Sequence, residues 1–396
     1  MMPSETQTLP ERRNSAQNLI FLLLCGGFVV NGIVITFIGP MLPVLKARWL
    51  LNDSQAGLFS LVQISASLSG VFISSALISA KGFKPAITIG IAMLGLGFAL
   101  LNAPTFMLAL VASGIYGLGY GLVTPGTNLW VGESYGERRA TALNIMNLTW
   151  GVGAISSSPL AMLTVRTGHV AFLLYVVAGI CVALGIALAQ MPFGAAPHEE
   201  RSASQPGDAS IAGMAVAVLL GILFFVYVGT ENGISYWAAD HARRAAVWNT
   251  NTFTLAPMFF FAGLLGGRGA AAAVLLRVRE VTVAAGGILL AAAGLSLFIA
   301  AHSPLLLFCG ALFAGVGLAS VYPIYIAWLS KWFGARARKV GGVMFALAAA
   351  GASTMPTLVG VVSRYSGSLG IGLFVPLAGC AVMLIVIALL RPNFRR

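Results

Sequence analysis

A single acidic residue lies deep inside an apolar stretch of this chain. Eleven acidic residues are present, and all except Glu231 fall in polar segments or near the ends of apolar stretches. Glu231 lies about seven residues, or about 10 Å of helix, from the polar end of the stretch 211–238. A carboxylate at that depth in hydrocarbon costs several kcal/mol unless it is paired, neutralised or hydrated. The position predicts a group that carries a proton or contacts a solute; the alternative is a permanently paired structural residue.

Arg268 is the matching cation. It lies about eight residues, or about 12 Å, from the opposite end of the stretch 250–276. Across about 30 Å of hydrocarbon, the two charges would differ in height by about 8 Å, which a long arginine side chain can just bridge. A pair of Glu231 and Arg268 would make a charge-compensated gate; the alternative is that Arg268 binds backbone carbonyls where helices cross.

The composition requires lipid as the solvent around these charges. The chain of 396 residues is 58% hydrophobic and 9% charged, and its mean hydropathy is +0.91. That is too little charged surface for a soluble globule of this size. The net charge of +12 does not indicate a nucleic-acid partner, because the basic residues occur in twos and fours between apolar blocks.

Twelve apolar stretches are long enough to cross a membrane, and each is predicted to be a helix. An isolated strand cannot satisfy its backbone polar groups in hydrocarbon, and the ten-residue alternation of membrane barrels is lacking. The predicted spans are 18–45, 54–79, 85–103, 106–132, 140–163, 170–191, 211–238, 250–276, 281–301, 304–330, 338–362 and 369–390.

Charge asymmetry predicts the orientation. With the N-terminus inside, sixteen basic residues fall on the cytoplasmic side and six on the other. The predicted organisation is a cytoplasmic tail at 1–17, a six-helix bundle at 18–191, a cytoplasmic linker at 192–210, a second six-helix bundle at 211–390 and a cytoplasmic tail at 391–396. We therefore expect an integral protein of a bacterial inner membrane with both termini in the cytoplasm.

The two halves carry an internal repeat. Residues 117–140 read GLGYGLVTPGTNLWVGESYGERRA, and residues 315–338, an offset of 198, read GVGLASVYPIYIAWLSKWFGARAR. The offset aligns glycines, prolines, tryptophans and arginines of the two segments. Two copies of one unit in a membrane are typical of transporters, in which pseudo-symmetric halves face each other across a solute path. Pro125 and Pro323 and the glycines around them predict bending of the helices, although simple close packing explains them equally well.

This organisation resembles the major facilitator superfamily over nearly the whole chain. The family's loop signature is present in altered form as SALISAKGFK at 75–84. The strings TENGISYW at 230–237, LLGGRGA at 264–270, VYPIYIAW at 321–328 and MPTLVGVVSRYSGSLGIGL at 355–373 are similar to the fucose permease branch of sugar:proton symporters. The resemblance implies an all-α membrane protein of twelve helices in two pseudo-symmetric bundles. Its first, fourth, seventh and tenth helices line a cavity, and its second, fifth, eighth and eleventh helices flank that cavity.

The chain departs from this branch where the chemistry matters. Ser79 occupies the position of the signature's aspartate. In the family that aspartate pairs with the other bundle, and the resemblance does not imply such a contact for a serine. The branch's acidic residues in the first and fourth helices are replaced by Asn31 and Thr124, which do not titrate in a useful range. Glu231 is then the candidate proton carrier.

Sugar recognition requires amide or carboxylate partners for hydroxyl groups and aromatic rings against C–H faces. On the helices that the resemblance places around the cavity, the sequence offers both kinds, and Gln63 is a further amide there. The predicted solute-binding residues are Asn31, Tyr120, Asn128, Asn147, Trp150, Tyr227, Asn232, Trp237, Tyr322 and Tyr325. The triplet Asn-Gly-Ile recurs at 31–33 and 232–234 and predicts two amides that clamp a polyol, unless each amide bonds to a neighbouring helix as packing.

The leading hypothesis is a secondary active transporter of a small polar, sugar-like solute, coupled to protons through Glu231. The alternative is an exporter of amphipathic drugs or metabolites with the same fold. An enzyme is not expected, because the four histidines lie in loops or at helix ends without a nucleophile. The four cysteines lie in apolar segments without metal-type spacing, so no metal and no cofactor are predicted; the partners are a small solute, protons and lipid.

Overall fold

A computed structural model of the protein describes residues 9–193, 211–246, 248 and 250–390, and the regular structure in these residues is helical. In chain order the helices are α1 (Leu9–Thr36), α2 (Ile38–Trp49), α3 (Asp53–Lys81), α4 (Phe83–Leu100), α5 (Phe106–Ser134), α6 (Arg139–Thr167), α7 (Val170–Gln190), α8 (Ile211–Ala245), α9 (Ala256–Leu275), α10 (Glu280–Ala300), α11 (Pro304–Leu318), α12 (Val321–Phe333), α13 (Ala337–Ser366), α14 (Leu369–Gly372) and α15 (Phe374–Leu390).

These helices make up twelve segments that are long and apolar enough to cross a membrane, as the sequence predicted. Many leucine, isoleucine, valine and phenylalanine side chains on their outward faces remain exposed, which fits a surface that contacts lipid. Three of the segments consist of paired helices: α1 with α2, α11 with α12, and α14 with α15.

The helices form two bundles. In the first, α3 packs on α5, α4 on α5 and α7, and α1 on α6; in the second, α8 packs on α13 and α15, and α11 on α9 and α10. The bundles meet where α3 contacts α13, α2 contacts α8 and α6 contacts α9. This is the all-α architecture of two pseudo-symmetric six-helix bundles that the sequence predicted.

The internal repeat reappears in the backbone. Short 3₁₀ turns follow α5 and α12, at Gly136–Arg138 and Gly334–Arg336. The φ angles of Gly136 and Gly334 are +47° and +48°, left-handed values that favour glycine. The same turn therefore recurs at the same place in both halves.

Close helix packing recurs as well. A Cβ atom added to Gly117 of α5 would lie 2.2 Å from the carbonyl oxygen of Gln63 in α3, and one added to Gly315 of α11 would lie 2.0 Å from that of Phe260 in α9. Both glycines thus allow equivalent helix pairs to approach until the backbones nearly touch.

The largest differences between the predicted and the observed helix ends lie in two places. Within the described residues, the first helix already includes Leu9, which lies inside the predicted tail 1–17. Helix α8 continues to Ala245, two turns beyond the predicted end at 238. Its added turns carry Asp240 and Arg244, whose charges are neutralised within the protein, so the helix does not end where the charges begin. Most of the predicted linker 192–210 and the whole of the predicted tail 391–396 lie outside the described residues.

The two repeat prolines have different local effects. Pro125 lies within the continuous helix α5. Pro323 is the third residue of α12, just after the break that separates α11 from α12. A proline in the first helical turn needs no backbone hydrogen-bond partner, so it is compatible with a helix that restarts there.

Candidate functional site

A cavity of about 300 Å³ lies between the two bundles. This volume is at the lower end of the range of about 300–1,000 Å³ that is usual for small-molecule sites. Both bundles contribute to its wall, from α1, α2, α3, α5 and α6 on one side and α8, α9 and α13 on the other. The lining residues are Ile35, Thr36, Gly39, Ser60, Gln63, Ile64, Ser67, Tyr120, Trp150, Val228, Glu231, Asn232, Ser235, Tyr236, Phe261, Ala349 and Ala352.

Glu231 is part of the cavity wall and is partly buried. Because α8 extends to Ala245, Glu231 lies fourteen residues (245 − 231) from that end, or about 21 Å, so it is deeper in the helix than the sequence indicated. It is the only Asp, Glu, Lys, Arg or His among the lining residues. The cavity therefore carries one negative group and no positive one.

Arg268 is exposed on α9 and is not among the lining residues. Its charge acts on Glu231, but the two side chains form no ion pair within 4.0 Å in the described part of the chain. The charge-compensated gate considered from the sequence is therefore not formed in this conformation.

Four of the predicted residues meet at the cavity: Tyr120, Trp150, Glu231 and Asn232. The ring of Trp150 lies edge-on to Phe261 of the other bundle, with centroids 6.4 Å apart. Amide, carboxylate and aromatic groups are thus combined in one concave place. That combination suits a polar solute with apolar C–H faces.

The predicted asparagines outside α8 lie elsewhere. Asn31 is fully buried, and its Nδ2 is 3.5 Å from the hydroxyl of Thr124 on α5, an arrangement that corresponds to the packing alternative. Asn147 is exposed and donates to the carbonyl of Leu143 one turn earlier in its own helix. Asn128 is partly buried and does not line the cavity. The clamp of Asn31 and Asn232 is not assembled here.

The predicted aromatics of the second bundle pack with one another away from the cavity wall. Tyr227 is fully buried and donates to the carbonyl of Leu318, 3.0 Å away, while its ring stacks on Tyr322 with centroids 5.5 Å apart. Tyr325 is fully buried beside them, with centroids 6.0 Å from Tyr227. Trp237 is also fully buried and donates to the carbonyl of Pro356, 2.8 Å away. In this conformation these four residues contribute to packing.

A second group of charges lies where α2, α3 and the last turns of α8 and α13 meet, which we call the far end of the bundles. We define the far-end cluster as Lys46, Asp53, Asp240 and Arg244. Lys46 bonds to both carboxylates, at 2.8 Å in the case of Asp240. Arg244 also bonds to both, at 2.6 Å in each case. The four charges balance, so the cluster is neutral as a whole.

The far-end cluster joins the two bundles. Lys46 and Asp53 belong to the first bundle, and Asp240 and Arg244 belong to the second, so two of its ion pairs cross the interface. Ser363 of α13 adds a crossing bond of 2.5 Å to Asp53.

Other hydrogen bonds that cross between the bundles, among the residues described, lie toward the same end. The crossing partners are Arg243 with Pro43, Tyr236 with Ala56, Thr357 with Gly57, and Ser60 with Ala352. The far side of the cavity is therefore closed by contacts between the bundles.

Sequence reasoning missed this cluster because it assigned Lys46, Arg243 and Arg244 to polar loops. One signal was present: Asp240 and Arg244 are four residues apart, the spacing of an ion pair on a helix. The partners from α2 and α3 are almost two hundred residues away in sequence, so only the fold brings them together.

Comparison with known proteins identifies the class. The sequence profile of the Major Facilitator Superfamily matches residues 24–280, about two thirds of the chain, and the chain belongs to that superfamily. It is an integral membrane protein and a transporter by family. No curated protein sequence matches it significantly.

Solved structures share the fold at low sequence identity. An outward-conformation structure of the transporter FucP is 18% identical, with a TM-score of 0.63, and the match covers 94% of this chain and 99% of that one. An inward-facing, occupied structure of a bacterial homologue of the human lysosomal transporter Spinster is 15% identical, with a TM-score of 0.73 and coverage of 98% of both chains. The nucleoside transporter NupG is 14% identical, with a TM-score of 0.74 and coverage of 96% and 100%.

Proposed function

We propose that this protein is a secondary active transporter that moves a small polar, sugar-like solute by alternating access. The observation that carries the proposal is a cavity lined by both bundles whose far side is closed by bonds between them. A cavity closed on one side by contacts that separate when the bundles rock is what alternating access requires.

The charge asymmetry of the loops supports an orientation. The segments that carry most basic residues lie at the end opposite the far-end cluster, and such segments remain in the cytoplasm. We therefore place the far end on the outer side of a bacterial inner membrane and both termini inside. In this orientation the conformation described is closed to the outside.

The composition of the wall supports a polar solute. Glu231, Asn232 and Gln63 supply carboxylate and amide groups, while Tyr120 and Trp150 supply aromatic faces. Hydroxyl-rich molecules require both kinds of group. The matched structures include a fucose:proton symporter and a nucleoside transporter, and the solutes in both names carry sugar hydroxyl groups.

Glu231 is the proposed proton carrier. Asn31 and Thr124 replace the acidic residues of the similar symporters, and neither side chain can carry a proton in a useful pH range. Glu231 lines the shared cavity and forms no ion pair within 4.0 Å in the described structure, so its carboxylate is accessible to a proton or a solute that enters the cavity. A proton or a solute donor would satisfy it.

Transport in proteoliposomes tests the proposal. We expect uptake of radiolabelled hexose to increase when an inward proton gradient is imposed, and Glu231→Gln to abolish that increase. Glu137→Gln is the matched control, because Glu137 is exposed in the turn after α5, outside the cavity. If the rate of hexose uptake is changed neither by the proton gradient nor by Glu231→Gln, proton coupling is rejected and the protein is a uniporter.

Export of amphipathic compounds is the second candidate. It is favoured by the ring pair of Trp150 and Phe261 and by the aliphatic lining residues Ile35, Ile64 and Val228, which make part of the wall apolar. The same vesicles, challenged with a fluorescent cationic dye, separate the two functions. Movement of dye without movement of hexose would favour export.

A further inference from the structure

We propose that Gln63, held in one orientation by Tyr116, is a specificity-determining hydrogen-bond donor, and that it faces acceptors on Glu231 and Asn232 across the cavity. The cavity then selects a neutral or cationic solute with an acceptor oxygen on one side and a hydroxyl or N–H donor on the other. This inference rests on the proposed transport function and deepens it by naming the class of solute.

Two bonds fix the amide of Gln63. Its Nε2 donates to the backbone carbonyl of Ile35, 3.2 Å away, and a carbonyl can only accept, so this end of the amide must be the nitrogen. Its Oε1 accepts from the hydroxyl of Tyr116 at 2.8 Å. Because Tyr116 is fully buried and Gln63 is only 6% exposed, the pair is shielded from competing water.

One N–H of Gln63 remains for a solute. An amide nitrogen carries two hydrogens, and the carbonyl of Ile35 uses one. Since Gln63 and Ile35 both line the cavity, the second hydrogen belongs to a side chain that a solute contacts. Leaving such a donor unsatisfied in a dry site costs about 1–3 kcal/mol, so a solute acceptor there is favoured.

Four of the six hydroxyl groups that line the cavity cannot replace this donor. Those of Thr36, Ser60, Ser235 and Tyr236 each donate their single hydrogen to a backbone carbonyl. They can still accept a hydrogen bond but have no hydrogen left to give. Gln63 is therefore distinguished from these four by retaining a free donor.

The opposite wall presents acceptors. The Nδ2 of Asn232 donates to the carbonyl of Val228, 2.9 Å away, which fixes the amide and leaves Oδ1 as the acceptor. Glu231 next to it offers carboxylate oxygens that accept only, when ionised. The opposite wall thus adds carboxylate and amide oxygens as acceptors, beside the second N–H of Asn232, and a solute that spans the cavity meets the Gln63 donor on one bundle and these acceptors on the other.

The charge of the wall adds a second criterion. Glu231 is the only charged type of residue in the lining, so an anionic solute would bring a second negative charge into the cavity without a lining cation. Neutral and cationic solutes avoid this cost. The cavity should therefore discriminate by charge among molecules of the same shape.

Ligand-induced thermal stabilisation of the purified full chain tests both criteria. The probes are D-galactose, D-galactosamine and D-galacturonate, which share one ring and differ in charge, and uridine as a neutral solute with carbonyl acceptors and hydroxyl donors. We expect D-galactose or uridine to bind. We expect D-galactosamine to bind at least as well as D-galactose, and D-galacturonate at least tenfold more weakly.

A ligand-protein double-mutant cycle then tests Gln63 itself. With D-galactose the monodeoxy sugars are used, and with uridine the deoxyribosyl and carbonyl-deleted analogues. Removing the one oxygen that accepts from Gln63 should weaken binding to the wild type about five- to tenfold, the value of one hydrogen bond. The same removal should cost less than twofold in Gln63→Met. Tyr116→Phe should reduce the preference for that oxygen by allowing the amide to turn.

Ser74→Ala is the matched control, because the hydroxyl of Ser74 also joins α3 to α5, at 2.8 Å from the carbonyl of Leu122, without lining the cavity. It should leave the preference among the analogues unchanged, even if the melting temperature falls. An analogue pattern that is the same in wild type and Gln63→Met would overturn the role of Gln63 and leave the transport proposal standing. Binding of D-galacturonate as tightly as D-galactose, or no binding of either neutral probe, would overturn the solute class, and the latter result would also overturn the sugar-like solute of the proposed function.

Discussion

Arg244→Gln is predicted to open the far end of the bundles. In the wild type, Arg244 bonds to Asp53 of the other bundle and to Asp240 of its own helix, each at 2.6 Å. Without Arg244, Lys46 alone faces two carboxylates, and Asp53 and Asp240 repel each other across the interface. The closed arrangement then loses an ion pair and gains a repulsion, whereas the open arrangement hydrates the separated charges.

The size of the effect follows from the burial of the groups. Breaking a buried ion pair by removing one partner costs about 3–5 kcal/mol. The side chain of Arg244 is 37% exposed, while those of Asp53 and Asp240 are 10% and 5% exposed, so water screens the pairs in part and the cost should be smaller. We expect about 2 kcal/mol, which shifts the ratio of closed to open far ends about 30-fold toward the open form.

Distances between spin labels provide the assay without any knowledge of the solute. Leu50 in the first bundle and Tyr365 in the second are 90% and 85% exposed at the far end, so both positions tolerate a label. Double electron-electron resonance on the labelled pair should show one short distance in the wild type and a second, longer population in Arg244→Gln.

Arg364→Gln is the matched control for this experiment. It makes the same chemical change at the same end of the bundles, on an exposed arginine without an ion pair in the described structure. It should leave the distances unchanged. Identical distance distributions in Arg244→Gln and the wild type would show that the far-end cluster does not hold the bundles together.

Two further predictions concern contacts between helices. Gly117→Ala should lower the melting temperature markedly or prevent folding, because the new Cβ would lie 2.2 Å from a backbone oxygen of α3. Gly132→Ala is the control and should change the melting temperature little, because no atom lies within 4 Å of its new Cβ. Equal effects of the two substitutions would contradict the close approach of α3 and α5. Tyr236→Phe, which removes the 2.6 Å bond from Tyr236 to the carbonyl of Ala56, should open the far end by a smaller amount than Arg244→Gln in the spin-label assay, since a single neutral hydrogen bond contributes about 1 kcal/mol.

The number and position of the spans could be predicted from sequence because lipid restricts the choice of structure so strongly. Each span must satisfy its own backbone, and its length is set by the bilayer, so hydropathy alone locates twelve helices. The same restriction singled out Glu231 in the sequence, because a carboxylate far inside such a helix is stabilised in a polar cavity and not in lipid. In the structure Glu231 lines the cavity between the bundles.

The repeated triplet at Asn31 and Asn232 does not mark equivalent positions in the two halves. Under the offset of 198 that aligns the two halves, the equivalent of Asn31 is Gly229, and the equivalent of Asn232 is Val34. A slip of three residues turns a side chain by about 60° around the helix and moves it by about 4.5 Å along the axis. Asn31 is therefore buried against Thr124 while Asn232 lines the cavity, although their local sequences match.

Which end of the bundles is closed also could not be read from sequence. The charges of the far-end cluster look like ordinary loop charges until α2, α3 and α8 are brought together. Their balance depends on contacts between residues almost two hundred positions apart, and local periodicity contains no information on such contacts.

Helix α8 connects the cavity to the far-end cluster. Glu231 and Asp240 are nine residues apart on it, or about 14 Å along one continuous helix, and Tyr236 between them bonds across to Ala56. A rigid helix cannot tilt at Glu231 without moving Asp240. Binding of a solute or a proton in the cavity is therefore mechanically linked to separation of the far-end cluster.

A solute or proton can shift the balance between the closed and the open conformation only by the difference in its affinity for the two. If the cluster contributes about 2 kcal/mol to the closed form, that difference must be about 30-fold to cancel it. The stability of the far-end cluster thus sets the smallest ratio of solute affinities, between the open and the closed conformation, that can open the far end. Contacts of the solute with Glu231, Asn232 and Gln63 have to provide that ratio.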